Sequence, residues 1–151
     1  MVDELVPDPP ARLRSLLSWQ ASKMNTVGSR LTATQMPLSA RAEFAVLAAL
    51  DEYGTLSQAD LGRYLGLDRN DVNGVVGRLR DAGHLSRETD LSDRRRNIVT
   101  LNESGQTYLD QLQTATDLVQ TELSAALTPA EIAQLQSLLT KLLQGHKNIA
   151  S

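Results

Sequence analysis

The residues in this chain best equipped for specific chemistry are arginines and asparagines, and they gather in two segments. The first runs from Arg69 to Ala82, where Val72, Val75, Val76 and Leu79 recur at helical spacing. With that stripe turned inward, the outward face carries Arg69, Asn70, Asn73, Gly74, Gly77 and Arg78. A guanidinium can bridge guanine O6 and N7, and a carboxamide can bridge adenine N6 and N7. A helix lying in a major groove meets base edges mainly through its N-terminal half. Arg69, Asn70 and Asn73 are therefore the candidate base readers, while Arg78 and Arg80, late in the helix, suit phosphates or structural ion pairs. Gly74 and Gly77 each cost roughly 1 kcal/mol relative to alanine in a helix interior. Two readings stand side by side: close approach of the backbone to a nucleic acid, or close packing on another helix.

The second segment is Asp90-Leu91-Ser92-Asp93-Arg94-Arg95-Arg96. Short extended runs flank it, Leu85 to Glu88 and the β-branched Asn97 to Leu101, so the arginines fall at the tip of a hairpin. Such a tip fits a minor groove, where narrow A·T tracts concentrate negative potential. Asp93 is placed to hold Arg95 in a fixed pose. The alternative is a solvated charged loop.

Helices must position these segments. Leu13, Leu16, Leu17, Met24, Val27 and Leu31 give a helical stripe from Ala11 to about Leu31, and the stretch Thr32 to Leu38, with Pro37, interrupts it. Ser39 can cap a second helix carrying Phe44, Leu47 and Leu50, which Gly54 ends with a left-handed residue. Ser57 and Asp60 open a short third helix that Gly66 stops, and Asp68, with Asp71 three residues on, caps the arginine-bearing helix up to Gly83. Two short helices joined by a tight glycine-containing turn form a helix-turn-helix. His84 packs or caps at the exit. Asn102 can cap a long helix with Tyr108, Leu109, Leu112, Val119 and Leu123, and Thr128-Pro129-Ala130-Glu131 opens the last one. The leucines of that helix, Leu135, Leu138, Leu139, Leu142 and Leu143, form a stripe wide enough to pack on two sides. Spare apolar surface at both chain ends implies a homodimer.

The expected fold is thus mainly α with a small β-hairpin wing. Residues 1–10 form a disordered tail and 11–151 a single unit. Within it, 38–102 make a winged helix-turn-helix, and 11–36 with 103–149 supply dimerisation helices.

Composition narrows the alternatives. The 151 residues are 41% hydrophobic but only 3% aromatic, which favours helices packed through aliphatic stripes. With no cysteine and two histidines, neither a thiolate nor a histidine-rich metal site is expected, and no cofactor is implied. The sequence lacks a run of 18 apolar residues and a phosphate-binding glycine loop, so neither a membrane span nor an enzyme is expected, and the cytoplasm follows by elimination. The net charge of −3 runs against nucleic acid, yet eight arginines lie between Arg63 and Arg96. A winged-helix module that contacts protein instead of DNA is the competing reading.

The segment from Asp90 to Gly105 resembles the wing signature of the MarR (multiple antibiotic resistance regulator) family: an aspartate, an Asp-x-Arg, a strand, then Leu-Thr-x-x-Gly. Leu67 through Arg78 to Leu85 is similar to that family's recognition helix and its exit into the wing. The departures are Asn102 where threonine is usual, and Gly74 and Gly77 where larger polar residues are common. The resemblance covers residues 11 to 149. It implies that Arg95 enters the minor groove with Asp93 as its orienting partner, flanked by Arg94 and Arg96. It further implies a homodimer on a pseudo-palindromic operator in double-stranded DNA, acting as a repressor released by a small aromatic or phenolic acid. On the first helix Arg14, Ser18, Ala21, Asn25 and Gly28 share a face; Arg14 can clamp a carboxylate and Trp19 stack on a ring. The competing reading has Arg14 solvated or salt-bridged and Trp19 packed at the interface.

Overall fold

The computed structural model describes residues 7–147. Most of the expected N-terminal tail, and residues 148–149 of the expected last dimerisation helix, lie outside the described residues; Pro7 to Pro10 are exposed coil. The elements in chain order are α1 (Ala11–Arg14), α2 (Leu17–Gln35), α3 (Ala40–Tyr53), β1 (Leu56–Ser57), α4 (Gln58–Leu65), α5 (Arg69–Asp81), β2 (Leu85–Thr89), β3 (Asn97–Leu101), α6 (Glu103–Leu123) and α7 (Pro129–Gly145). They divide into two compact units, one of residues 32–118 and one of residues 1–31 with 119–151.

In the unit of residues 32–118, α3, α4, α5, the sheet and the start of α6 enclose one aliphatic core. Val46, Leu47, Leu61, Val72, Val76, Leu79 and Val99 are its most deeply buried side chains. Each buried aliphatic chain of this size contributes roughly 1.5–3 kcal/mol relative to exposure. The core fixes α5 rotationally: all four stripe residues, Val72, Val75, Val76 and Leu79, are buried. Capping works as expected at four helices, that of α6 by Asn102 among them. Ser57 Oγ accepts from the Asp60 N–H, Asp68 Oδ1 from the Asp71 N–H, and Thr128 closes a full capping box with Glu131.

Four local expectations are corrected. The first helix is broken at Ser15–Leu16, where the ladder tightens: the Leu16 N–H donates to the Leu13 carbonyl three residues back (3.0 Å), and the next helical piece begins only at Leu17. The second piece, α2, runs through Thr32 to Gln35 and stops only before Pro37, whose ring disfavours helical backbone in the residue preceding it. Ser39 makes no side-chain cap: its backbone is already helical, and the chain enters α3 through a tight turn in which the Pro37 carbonyl accepts from the Ala40 N–H. Gly54 does have positive φ (78°), but its ψ of −152° lies outside the left-handed helical well, in a region that only glycine takes readily.

The hairpin also gains a third strand. β1 is two residues long, too short to show periodicity, and it pairs antiparallel with β3 (Leu56 with Val99, Ser57 with Ile98). β2 pairs on the other side of β3 in unbroken register from Leu85 with Leu101 to Thr89 with Asn97. The wing is thereby fastened to the entrance of α4.

In the other unit the apolar side chains of α1, α2 and α7 lie largely in solvent. Leu17, Met24, Leu138, Leu142 and Leu143 are all exposed, and no described residue of α7 is buried. The leucine stripe read from the sequence is present, but nothing among the described residues covers it.

At the joint between β3 and α6, Asn102 Oδ1 accepts from the Gly105 N–H (2.8 Å) while its Nδ2 donates to the Gly83 carbonyl (2.9 Å). Gly105 is buried there, and a Cβ on it would overlap the His84 carbonyl oxygen and crowd Leu101 Cδ1. Gly105→Ala is expected to destabilise the fold by roughly 3 kcal/mol, the cost of overpacking against backbone, read as a lowered urea midpoint with unchanged slope.

Candidate nucleic-acid interface

The N-terminal half of α5, the start of α4 and the tip of the wing surround a cleft of about 580 Å³. Gln58, Arg63, Arg69, Asn70, Asn73 and Arg95 are among the residues that line it. The three candidate base readers are thus brought together with a wing arginine on one concave surface. Arg69, Asn70 and Asn73 are exposed, all within the first turn and a half after the Asp68 cap.

The wing tip is built by local bonds. The Asp90 N–H donates to the Arg96 carbonyl and the Arg96 N–H to the Asp93 carbonyl, each at 2.9 Å. Asp90 Oδ1 accepts from the hydroxyl and the N–H of Ser92 (2.7 and 2.9 Å), and these bonds hold its carboxyl below the usual carboxylate range. Asp93 Oδ1 accepts from both the backbone N–H and Nε of Arg95 (3.1 and 3.2 Å). Arg95 is nonetheless 91% exposed, so the contact orients the guanidinium without hiding it.

The other arginines divide by role. Arg94 is exposed and meets no partner among the described residues. Arg96 reaches Asp60 Oδ2 (3.6 Å), and Asp60 also holds Arg63 (2.7 Å), so Arg96 ties the wing back to α4 more than it extends it. Arg78 bonds Glu43 (3.3 Å) and Arg80 bonds Asp81 (3.0 Å), the ion-pair role open to both from the sequence.

Gly74 and Gly77 are resolved by space. A Cβ on Gly74 would meet only the end of the Arg78 side chain, at 3.7 Å, and one on Gly77 would meet nothing within 4 Å. No packing among the described residues requires either glycine, which leaves an open face. Gly62, which the sequence reading passed over, is the glycine that packing does need: a Cβ there would lie 2.9 Å from the Leu67 carbonyl and 3.4 Å from Val72. A glycine inside an otherwise regular helical stretch was its only signal. Gln58, Glu43 and Arg87 were also missed as site residues, since their partners lie far away in sequence.

The expected effector residues fare differently. Arg14 belongs to α1, beyond the break, and does not share the α2 face that carries Ser18, Ala21, Asn25 and Gly28. Its backbone carbonyl instead accepts from Gln20 Nε2 (2.8 Å). Trp19 is half-buried, with the Lys23 ammonium 5.4 Å from its ring centroid. Ser18 and Asn25 are exposed.

A three-stranded wing beside a capped recognition helix, with arginines and asparagines facing one cleft, defines a winged helix-turn-helix DNA-binding transcription regulator. Comparison with known proteins sharpens this. Residues 37–96 match the family model described as MarR family. The chain is 30% identical over 106 residues to the HTH-type transcriptional repressor NicR of Pseudomonas putida, covering 70% of this chain and 67% of NicR. A structure of Bordetella bronchiseptica BpsR, described as showing regulation of its DNA binding by 6-hydroxynicotinic acid, aligns with a TM-score of 0.75 at 26% identity over 83% of this chain and 97% of BpsR. Apo MarR of E. coli aligns with a TM-score of 0.70 at 26% identity over 85% of this chain and 96% of MarR. The chain belongs to the MarR family.

Behind the interface, Glu43 of α3 is a hub. Its side chain is 13% exposed and accepts from Arg78 of α5 and, at 2.7 Å, from the Tyr108 hydroxyl of α6. Tyr108 stacks on His84 (4.4 Å between centroids), whose Nδ1 meets Ser104 Oγ at 2.9 Å. Burial, reinforced by the Glu43 carboxylate, pushes the Tyr108 phenol up from 10.0 to about 12. The folded state keeps the proton more tightly than the unfolded state, so this contribution is complete below pH 10 and is lost as pH rises toward 12. It amounts to about 2 kcal/mol. Urea unfolding at pH 9 and pH 11.5 should show that loss in the wild type and a smaller one in Tyr108→Phe.

Proposed function

We propose that the protein binds a pseudo-palindromic operator in double-stranded DNA as a homodimer, represses transcription there, and is released by a small aromatic or phenolic acid. The observation that carries the DNA part is the shared cleft, in which Arg69, Asn70 and Asn73 stand beside the exposed, Asp93-oriented Arg95. The bare leucines of α7 support the dimer, because exposed apolar stripes of this size are covered by partners. A two-fold dimer implies two half-sites separated by whole helical turns. Repression is supported by the likeness to NicR, and an aromatic hydroxy acid by the likeness to BpsR. Ser18, Trp19 and Asn25 of α2 are the residues proposed to meet the effector, with Trp19 supplying an aromatic face. Release follows if the effector prefers a conformation that DNA does not. No catalytic step belongs to this reading, and the site of action is the cytoplasm.

The test is a gel shift against the DNA upstream of the protein's own gene, at two salt concentrations, with and without a panel of aromatic hydroxy acids. Saturable binding that weakens with salt and is abolished by one compound is expected; binding indifferent to every compound would remove the effector. Arg95→Ala should lower affinity roughly tenfold for all sequences and flatten the salt dependence. Undiminished affinity would take the wing out of the mechanism. In sedimentation the full chain should be a dimer, and a chain ending before Thr128 should not.

A further inference from the structure

The side chain expected to read a base is not free on both sides. Asn73 Oδ1 faces Arg87 Nη1 of β2 at 3.2 Å and Gln58 Nε2 of α4 at 3.5 Å. A guanidinium carries donors only, so the atom it meets must be the carboxamide oxygen, and the orientation of the amide is fixed. Arg87 takes one lone pair of that oxygen, and Gln58 faces the other at the outer limit of a hydrogen bond. Gln58 turns Nε2 to the same oxygen, and its Oε1 is buried with no hydrogen-bond partner among the described residues. The Asn73 Nδ2, by contrast, meets no partner among the described residues, and the residue is exposed on the cleft.

A bidentate grip on adenine needs both ends of the amide, Oδ1 accepting from N6 and Nδ2 donating to N7. With Oδ1 already occupied, Asn73 can offer only N–H donors. Guanine presents two adjacent acceptors, O6 and N7, and no major-groove donor; adenine sets its N6 amino group beside N7, and cytosine presents a donor alone. We propose that Arg87 is a positioning residue that turns Asn73 into a one-sided hydrogen-bond donor, so that the recognition helix selects guanine, not adenine, at the base Asn73 meets. Arg87 lies on a wing strand, so the base of the wing sets the chemistry of the reading helix as well as flanking it.

This deepens the DNA-reading function proposed above and rests on it. The test is random-sequence selection with the full-length wild type, N73A, R87M, which keeps the aliphatic stem without the donors, and R87K, which restores a donor. The wild type should enrich a site with guanine favoured over adenine roughly tenfold at one half-site position, the preference that N73A erases. In R87M adenine should rise at that position to within about threefold of guanine, and R87K should recover much of the discrimination. Adenine at the Asn73-dependent position of the wild type would overturn the proposal without recourse to any Arg87 variant. So would an R87M protein that binds every sequence more weakly, with a flatter salt dependence and an unchanged preference, because Arg87 would then be a phosphate contact. A specific site with no Asn73-dependent position refutes this inference alone, whereas failure to enrich any sequence refutes operator reading itself.

Discussion

Everything the interface does depends on the burial of one side of α5. Val72, Val75, Val76 and Leu79 are each no more than 4% exposed, wedged among α3, α4 and the sheet. A helix so anchored cannot rotate without exposing a valine, and each such exposure costs roughly 1.5–3 kcal/mol. The opposite face is therefore committed to the cleft. The Asp68 cap sets where that face begins, and Gly62 lets the turn between α4 and α5 close tightly enough to bring Gln58 across to Asn73.

A second layer of polar contacts fixes what the core leaves adjustable. Asp60 draws Arg63 and Arg96 together, Glu43 draws Arg78 and Tyr108 together, and Asn102 joins the exit of α5 to the entry of α6. Exposed ion pairs contribute little stability on their own. Their effect here is positional. The acids absorb some arginines into structure and leave Arg69, Arg94 and Arg95 pointing outward, which is how a chain of net charge −3 presents a basic cleft.

The sequence carried the elements whose signals are local. The capping pairs, the valine stripe and the Asp93–Arg95 contact all lie within a few residues of each other, and all were found where expected. What it hid was non-local or too short. β1 is two residues whose strand character comes from pairing with β3, some 40 residues on. The break at Ser15–Leu16 falls in a stretch with no proline or glycine to announce it, and it moves Arg14 off the face where helical periodicity put it. The Arg87–Asn73 contact joins a strand to a helix, so spacing alone gave no sign that one end of the amide was taken.

The open positions at Gly74 and Gly77 bear on how much a binding site can say. A recognition helix sends a limited number of hydrogen-bonding groups toward base edges, and here two outward places on α5 send none. Fewer readers mean fewer specified bases per half-site, so the information that distinguishes one DNA site from another must come largely from groove shape and from spacing between half-sites. Such a protein tolerates drift in the bases of its sites more readily than drift in their geometry.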